Sequence, residues 1–197
     1  MRVILASASP RRKEIFGEIC ETFEIIPAKG EERASEKLSP EALVKELAFR
    51  KAREVADEVF KTGEDALVLG SDTVVALENA VLGKPKDRQD AIAMLTSLSG
   101  RVHEVFTGVC FIRLFKGKEE LAIAADCTKV EFETLTQTQI AEYVLSGSPM
   151  DKAGAYGIQD GGLVKRLKGS YSNVVGLPKE LTKELFDALY VKQGEQQ

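Results

Sequence analysis

The amino-acid sequence predicts an α/β protein with a mixed, twisted sheet flanked by helices, and three observations carry that expectation. Short apolar runs of strand character alternate with segments whose apolar residues recur at three- and four-residue spacings. Two long strand-like runs, Val102 to Phe115 and Leu121 to Phe132, are separated by the turn Lys116-Gly117-Lys118, the pattern of an antiparallel hairpin. At 197 residues the chain can form one sizeable domain, or two lobes sharing a cleft, with a substantial core.

The chain opens with Val3-Ile4-Leu5-Ala6, a short buried strand that runs straight into Ser7-Ala8-Ser9-Pro10-Arg11-Arg12. Ser9 suits an N-cap and Pro10 the first helical position, so a helix is expected to about Cys20. The positive end of a helix favours acidic residues, yet this first turn holds Arg11 and Arg12. Backbone N–H groups, the Ser7 and Ser9 hydroxyls and two guanidinium groups would converge there, which is what a phosphate-bearing ligand needs. The alternative is a pair of solvated arginines at an exposed helix start, a common arrangement.

Thr22 to Pro27 reads as a second strand, ended by proline, and Ala28 to Lys37 as a polar loop holding Glu31 and Glu32. Ser39-Pro40-Glu41 starts a helix to about Phe60, whose stripe of Leu43, Leu47, Ala48, Ala52, Val55 and Val59 is interrupted by Lys51. A lysine there either snorkels to water or meets an anion. Ala66 to Ser71 is a compact strand with Asp72-Thr73 at its end, where α/β proteins place their sites. Val74 to Leu77 continues as strand, Glu78-Asn79-Ala80 turns it, and Val81 to Pro85 returns and could carry Lys84 back beside Asp72.

Asp87 caps a helix to about Leu98, closed by Ser99-Gly100, and the hairpin follows. Thr136 caps a helix to Leu145, and Gly147 to Gly162 is glycine-rich and irregular, long enough for a functional loop. Leu163 to Leu167 reads as a strand, Gly169 to Pro178 as a loop and Lys179 to Leu189 as a last amphipathic helix. A single domain over 1–191, with a polar tail over 192–197, is the expected organisation.

With 44% hydrophobic and 29% charged residues the composition is that of an ordinary soluble globular protein. A formal charge of -4 makes the summed field repel nucleic acid and anionic membranes, so any anion site must be a local cluster of cations. Cys20, Cys110 and Cys127 have no paired spacing and read as buried free thiols, which fits a reducing cytoplasm. The first apolar run is too short for a signal peptide, and the arginines follow it. No run is long enough to span a membrane.

No GxxxxGK[ST] or GxGxxG motif is present. His103 is the one histidine and lies in a strand-like run, which argues against a Ser-His-Asp arrangement and for a structural role. What remains is a set of cations, Arg11, Arg12, Lys51 and Lys84, and the carboxylates Glu32 and Asp72 at element ends. Cations bind phosphates, and carboxylates hold Mg²⁺ or Mn²⁺ and can deprotonate water, so phosphate-ester or phosphoanhydride hydrolysis uses both.

Taken with Gly70-Ser71-Asp72-Thr73, Leu82-Gly83-Lys84-Pro85, Asp151-Lys152-Ala153-Gly154-Ala155-Tyr156-Gly157-Ile158-Gln159 and Val175-Gly176-Leu177-Pro178, the opening motif closely resembles that of the Maf family of nucleotide pyrophosphatases, over nearly the whole chain. The resemblance implies two lobes around a central cleft, similar to inosine triphosphate pyrophosphatases, and conversion of a nucleoside triphosphate to its monophosphate and pyrophosphate. It makes Asp72 the proton acceptor, places Ser7, Arg12, Lys51 and Lys84 around the phosphates, and puts Glu32 and Asp72 near a divalent cation, Mg²⁺ or Mn²⁺. Arg11, Thr73 and Gln159 match the specificity positions of a dTTP/UTP-hydrolysing subgroup, and Gln159 offers the donor and acceptor that a thymine or uracil imide edge requires. The alternatives are another base, such as 7-methyl-GTP, or a nucleotide-binding regulator of septum formation in cell division; a homodimer is left open. One departure stands out: Asp160-Gly161-Gly162-Leu163-Val164 is shorter than the family pattern, and Asp160 takes the place of a small residue.

Overall fold

The computed structural model describes residues 1–30 and 38–190. Its strands are β1 (Arg2–Leu5), β2 (Glu24–Ile25), β3 (Ala66–Leu77), β4 (Ala80–Leu82), β5 (Val102–Phe115), β6 (Lys118–Phe132) and β7 (Val164–Lys168). Its helices are α1 (Pro10–Gly17), α2 (Pro40–Phe60), α3 (Arg88–Leu98), α4 (Gln137–Leu145), α5 (Tyr171–Val175) and α6 (Lys179–Tyr190). The strands form one mixed sheet in the order β2-β1-β3-β5-β6-β7, with β4 paired to the far end of β3. β1 runs parallel to β2 and β3, and the remaining pairings are antiparallel. The expected mixed α/β sheet and hairpin are present, with Lys116 and Gly117 both at positive φ in the hairpin turn.

The predicted caps hold: Ser9, Ser39, Asp87 and Thr136 each accept a backbone N–H from the first turn of their helix. Three expectations need correction. Asp72 does not end a strand, because β3 runs unbroken from Ala66 to Leu77 with Asp72 opposite Gly108 of β5. The segment Gly169 to Pro178 is not all loop, since α5 forms within it; its Asn173 side chain is fully buried and donates to the Val105 carbonyl (2.9 Å) and to Thr128 Oγ1 (3.0 Å). Cys127 is exposed rather than buried, on a stretch of β6 that only β5 pairs, whereas Cys110 is buried.

The pleat of β3 distributes the core. Ala66 and Val68 face α2, packing with Ala48, Ala52 and Val55, and Val74 follows on the same face against Leu43, Val44 and Leu47. Leu67 and Leu69 face the other side, against Phe16 of α1 and Phe186 and Leu189 of α6. Farther along that second side, Val75 and Leu77 pack with Leu95 and Leu98 of α3 and Ile140 and Val144 of α4. The two separate clusters on one side of one strand are the two lobes, and Ser71 and Thr73 lie on β3 between them.

α2 can approach the sheet closely only because of two glycines. A Cβ on Gly70 would lie 2.2 Å from the Ala48 carbonyl oxygen, and one on Gly108 would lie 2.2 Å from that of Val44. The helix backbone therefore rests directly on β3 and β5.

His103 is a core residue, as its strand position predicts. It is buried, its Nε2 lies 2.8 Å from the Tyr156 hydroxyl, and it meets Phe132 and Tyr156 edge to face. Burial lowers its pKa from 6.5 to about 4. Below pH 6.5 the unfolded chain takes up a proton that the folded chain refuses, so stability falls on acidification down to about pH 4. We expect a loss of about 2 kcal/mol between neutrality and pH 5, read from urea midpoints. With one histidine in the chain, His103→Phe should abolish that slope, and a flat wild-type profile over this range would refute the assignment.

Candidate active site

A gap in the strand pairing of β3 opens the site. β1 pairs with Ala66 to Leu69 and then leaves, and β4 joins only at Val75 to Leu77. Between them the edge of β3 from Gly70 to Val74 has no neighbouring strand on that side. The chain after β1, Ala6 to Ser9, crosses this gap, tied by the Ala6 N–H to the Leu69 carbonyl (2.7 Å). A cavity of about 640 Å³ lies there. This is the carboxyl end of the parallel β1, the position α/β sheets favour for ligands.

The cavity gathers Ser7, Arg11, Arg12, Lys51, Asp72, Thr73, Lys84 and Gln159, every predicted site residue that lies among the described ones. Glu32, the predicted partner of Asp72 at a metal, lies outside the described residues. Five cations and two carboxylates line the space once Lys152 and Asp151 are added, which concentrates positive charge inside an acidic protein.

The strand pleat sends Asp72 and Thr73 to opposite faces, and each meets a different cation. Asp72 points to α2, where Lys51 Nζ donates to its Oδ1 at 2.5 Å; both side chains are largely buried, at 8% and 17% exposure. The lysine within the apolar stripe thus meets an anion instead of snorkelling. Thr73 points to α1, where its hydroxyl oxygen accepts from Arg12 (3.2 Å) and lies 2.9 Å from the Thr107 hydroxyl.

Arg12 is held on three sides. Besides Thr73, its Nε donates to the Gly176 carbonyl (2.9 Å) and its other terminal nitrogen lies 3.4 Å from Ser7 Oγ. Gly176 adopts φ +125°, and its carbonyl also accepts from Ser71 Oγ (3.2 Å). The arginine is therefore pre-aimed by the loop after α5, which settles the choice against a solvated side chain. Arg11 lies 3.6 Å from Asp151, across the cavity from α1.

Lys152, to which sequence reasoning gave no role of its own, lines the cavity at 12% exposure, donating to the Ser148 carbonyl (2.5 Å) and to Asp151 (2.8 Å). The irregular stretch around it forms three short 3-10 turns, Ser148–Asp151, Ala153–Ala155 and Ile158–Asp160, so no periodicity announced which side chains turn inward. Gln159 sits on the last of these turns, at the cavity rim.

As a metal ligand set, Asp72 offers one carboxylate, and no group of three or more His, Cys, Asp or Glu gathers among the described residues. One carboxylate completed by phosphate oxygens and water is a donor set that Mg²⁺ accepts. No helix among the described residues is long and apolar enough to cross a membrane.

The model of the Maf-like protein family matches residues 2–189. A protein of Agathobacter rectalis named dTTP/UTP pyrophosphatase is 48% identical over 189 residues, covering 90% of this chain and 92% of that one. Proteins of the same name from Thermococcus gammatolerans (48% over 181 residues, 91% and 92%) and Thermoanaerobacter pseudethanolicus (44% over 193 residues, 96% and 95%) match as broadly. A crystal structure titled nucleoside-triphosphatase / dITP/XTP pyrophosphatase, from Mycobacterium abscessus, overlaps with a TM-score of 0.42 at 17% identity over 67% of this chain and 74% of that one. With a family model spanning almost every residue and relatives near half identity end to end, this chain belongs to the Maf family.

Proposed function

We propose that the protein hydrolyses dTTP and UTP to the nucleoside monophosphate and pyrophosphate. The observation that carries the reading is the cavity itself: Arg12, Lys51 and Lys84 face one space with Asp72, in a chain whose curated relatives bear the name dTTP/UTP pyrophosphatase. A volume of about 640 Å³ is in the range of sites that enclose a nucleotide-sized ligand.

In this mechanism Arg12, Lys51 and Lys84 grip the triphosphate. Asp72 accepts a proton from a water that attacks the α-phosphorus; the bond from that phosphorus to the bridging oxygen breaks and pyrophosphate leaves. Asp72, with Glu32 as the second candidate ligand, would hold Mg²⁺ or Mn²⁺, and the cation would supply neutralisation of the phosphate charge. The prearranged cations account for most of the acceleration, because phosphoryl transfer demands positioning and charge stabilisation above all. At the other end of the cavity Gln159 reads the imide edge of the base, and Arg11 and Thr73 complete the specificity set.

The test is pyrophosphate release by the purified protein with Mg²⁺ or Mn²⁺, across dTTP, UTP, CTP, 7-methyl-GTP and purine triphosphates. Turnover of dTTP and UTP well above the rest is the expected result. Turnover of a different base would keep the reaction and overturn the specificity assignment. Binding without turnover would replace the enzyme with a nucleotide-binding regulator.

A further inference from the structure

Asp160, directly after Gln159, is the centre of a hydrogen-bond knot behind the base-reading end of the cavity. Its Oδ2 accepts from the Tyr143 hydroxyl at 2.5 Å and from the Ser148 hydroxyl at 2.7 Å. Each hydroxyl passes the constraint on to a cavity-lining group. Tyr143 Oη accepts the Gly157 N–H (3.0 Å), and Ser148 Oγ accepts from Lys152 Nζ (3.0 Å). The Asp160 N–H closes the turn on the Gly157 carbonyl at 3.1 Å. Gly157 is enclosed by the result: a Cβ there would lie 2.7 Å from Lys152 Cε and 3.0 Å from Asp160 Oδ2.

From these contacts we propose that Asp160 is a positioning residue for base recognition, fixing Gln159 and Lys152 through Tyr143 and Ser148. This rests on the reading of Gln159 as the residue that faces the base. The chemistry is self-consistent: each hydroxyl spends its proton on the carboxylate and its lone pairs on a donor from the loop, so removing the carboxylate frees both relays at once. Burial works against the charge on Asp160, but the Tyr143 and Ser148 hydroxyls, with Lys152 and Arg11 nearby, hold its carboxyl below the ordinary range and keep it a full acceptor at neutral pH. Each of the three turns closes a backbone hydrogen bond of its own, and the Asp160 carboxylate ties the last of them to the first through Ser148. Gly161 and Gly162, both at positive φ, lead the chain from Asp160 to Leu163, which is buried and whose carbonyl accepts the Glu133 N–H at 2.9 Å.

The test compares wild type, Asp160→Ala, Asp160→Asn and Tyr143→Phe for kcat and KM with dTTP, UTP and CTP, and for inhibition by inorganic tripolyphosphate. For Asp160→Ala we expect KM for dTTP and UTP to rise about tenfold, kcat to stay within about threefold, and preference over CTP to fall about tenfold. Tripolyphosphate inhibition should not change, because it samples only the phosphate end. Asp160→Asn, whose amide oxygen can accept both hydroxyls, should restore most of the preference, and Tyr143→Phe should lose part of it. Unchanged preference in Asp160→Ala, or an equal loss of kcat on every base, would overturn the proposal, and Tyr143→Phe decides the matter if Asp160→Ala does not fold. A wild type that turns over no triphosphate would overturn the function instead, which separates the two failures.

Discussion

Replacing Asp72 by asparagine is expected to slow pyrophosphate release by about 10²- to 10⁴-fold, the range that a positioned general base contributes. Asparagine matches aspartate in shape and its amide oxygen can still accept from Lys51, so the fold should survive with a modest fall in Tm. What it cannot do is accept a proton from water or offer a full negative charge to a cation. The loss should therefore fall on kcat. Affinity for a non-hydrolysable α,β-imido analogue of UTP, measured by calorimetry, should change little, because Arg12, Lys51 and Lys84 remain. Near-normal turnover in a folded Asp72→Asn protein would remove Asp72 from the chemistry and reassign the Lys51 contact, 2.5 Å from Oδ1, as purely structural.

Much of this arrangement was legible in the sequence because its signals are local. Serine or aspartate before a helical pattern is a capping arrangement that acts within one turn, and Ser9, Ser39, Asp87 and Thr136 all cap as written. Lys51 in an apolar stripe and two arginines in a first helical turn are local misfits, and the physics that makes them misfits also marked them as candidates for an anion. The structure resolves both, Lys51 against Asp72 and Arg12 against Ser7, Thr73 and Gly176.

What was not legible depends on partners far along the chain. Asp72 interrupts an apolar run, so β3 looked as if it ended there; opposite lie Gly108 and the hairpin, which keep the ladder intact through it. The five-residue α5 has no periodicity long enough to detect, and Asn173, clasping Val105 and Thr128, anchors it to the sheet. Asp160 reads from the sequence only as a departure within a glycine-rich loop; its partner, Tyr143, lies 17 positions away. Side chains that act through tertiary contacts of this kind leave no period and no cap to read.

The second large effect concerns a residue with no functional group. Gly108→Ala places a Cβ 2.2 Å from the Val44 carbonyl oxygen and 2.5 Å from its carbon, both backbone atoms of α2. No rotamer can relieve that contact, so α2 or the sheet must move. Inserting a methylene into a packed core costs about 1–3 kcal/mol where side chains can adjust, and this case belongs at the upper end because they cannot. The displacement is transmitted to the chemistry. Gly108 lies opposite Asp72 on the β3–β5 ladder, and Val44 is on the same face of α2 as Lys51, two turns earlier, so the wedge opens at the site of the ion pair. A shift of about 1 Å in such a pair can lower turnover about 10²-fold. We therefore expect Gly108→Ala to lower both the urea midpoint and kcat, whereas Gly117→Ala, in the hairpin turn with nothing within 4 Å of its Cβ, should lower stability through its positive φ and leave kcat unchanged. If Gly108→Ala were as active and as stable as the wild type, close seating of α2 would not be what sets Lys51 against Asp72. The dependence would then have to lie in the cavity-lining loops, chiefly Ala6 to Ser9 and the three turns around Lys152, and the same pair of measurements on variants there would locate it.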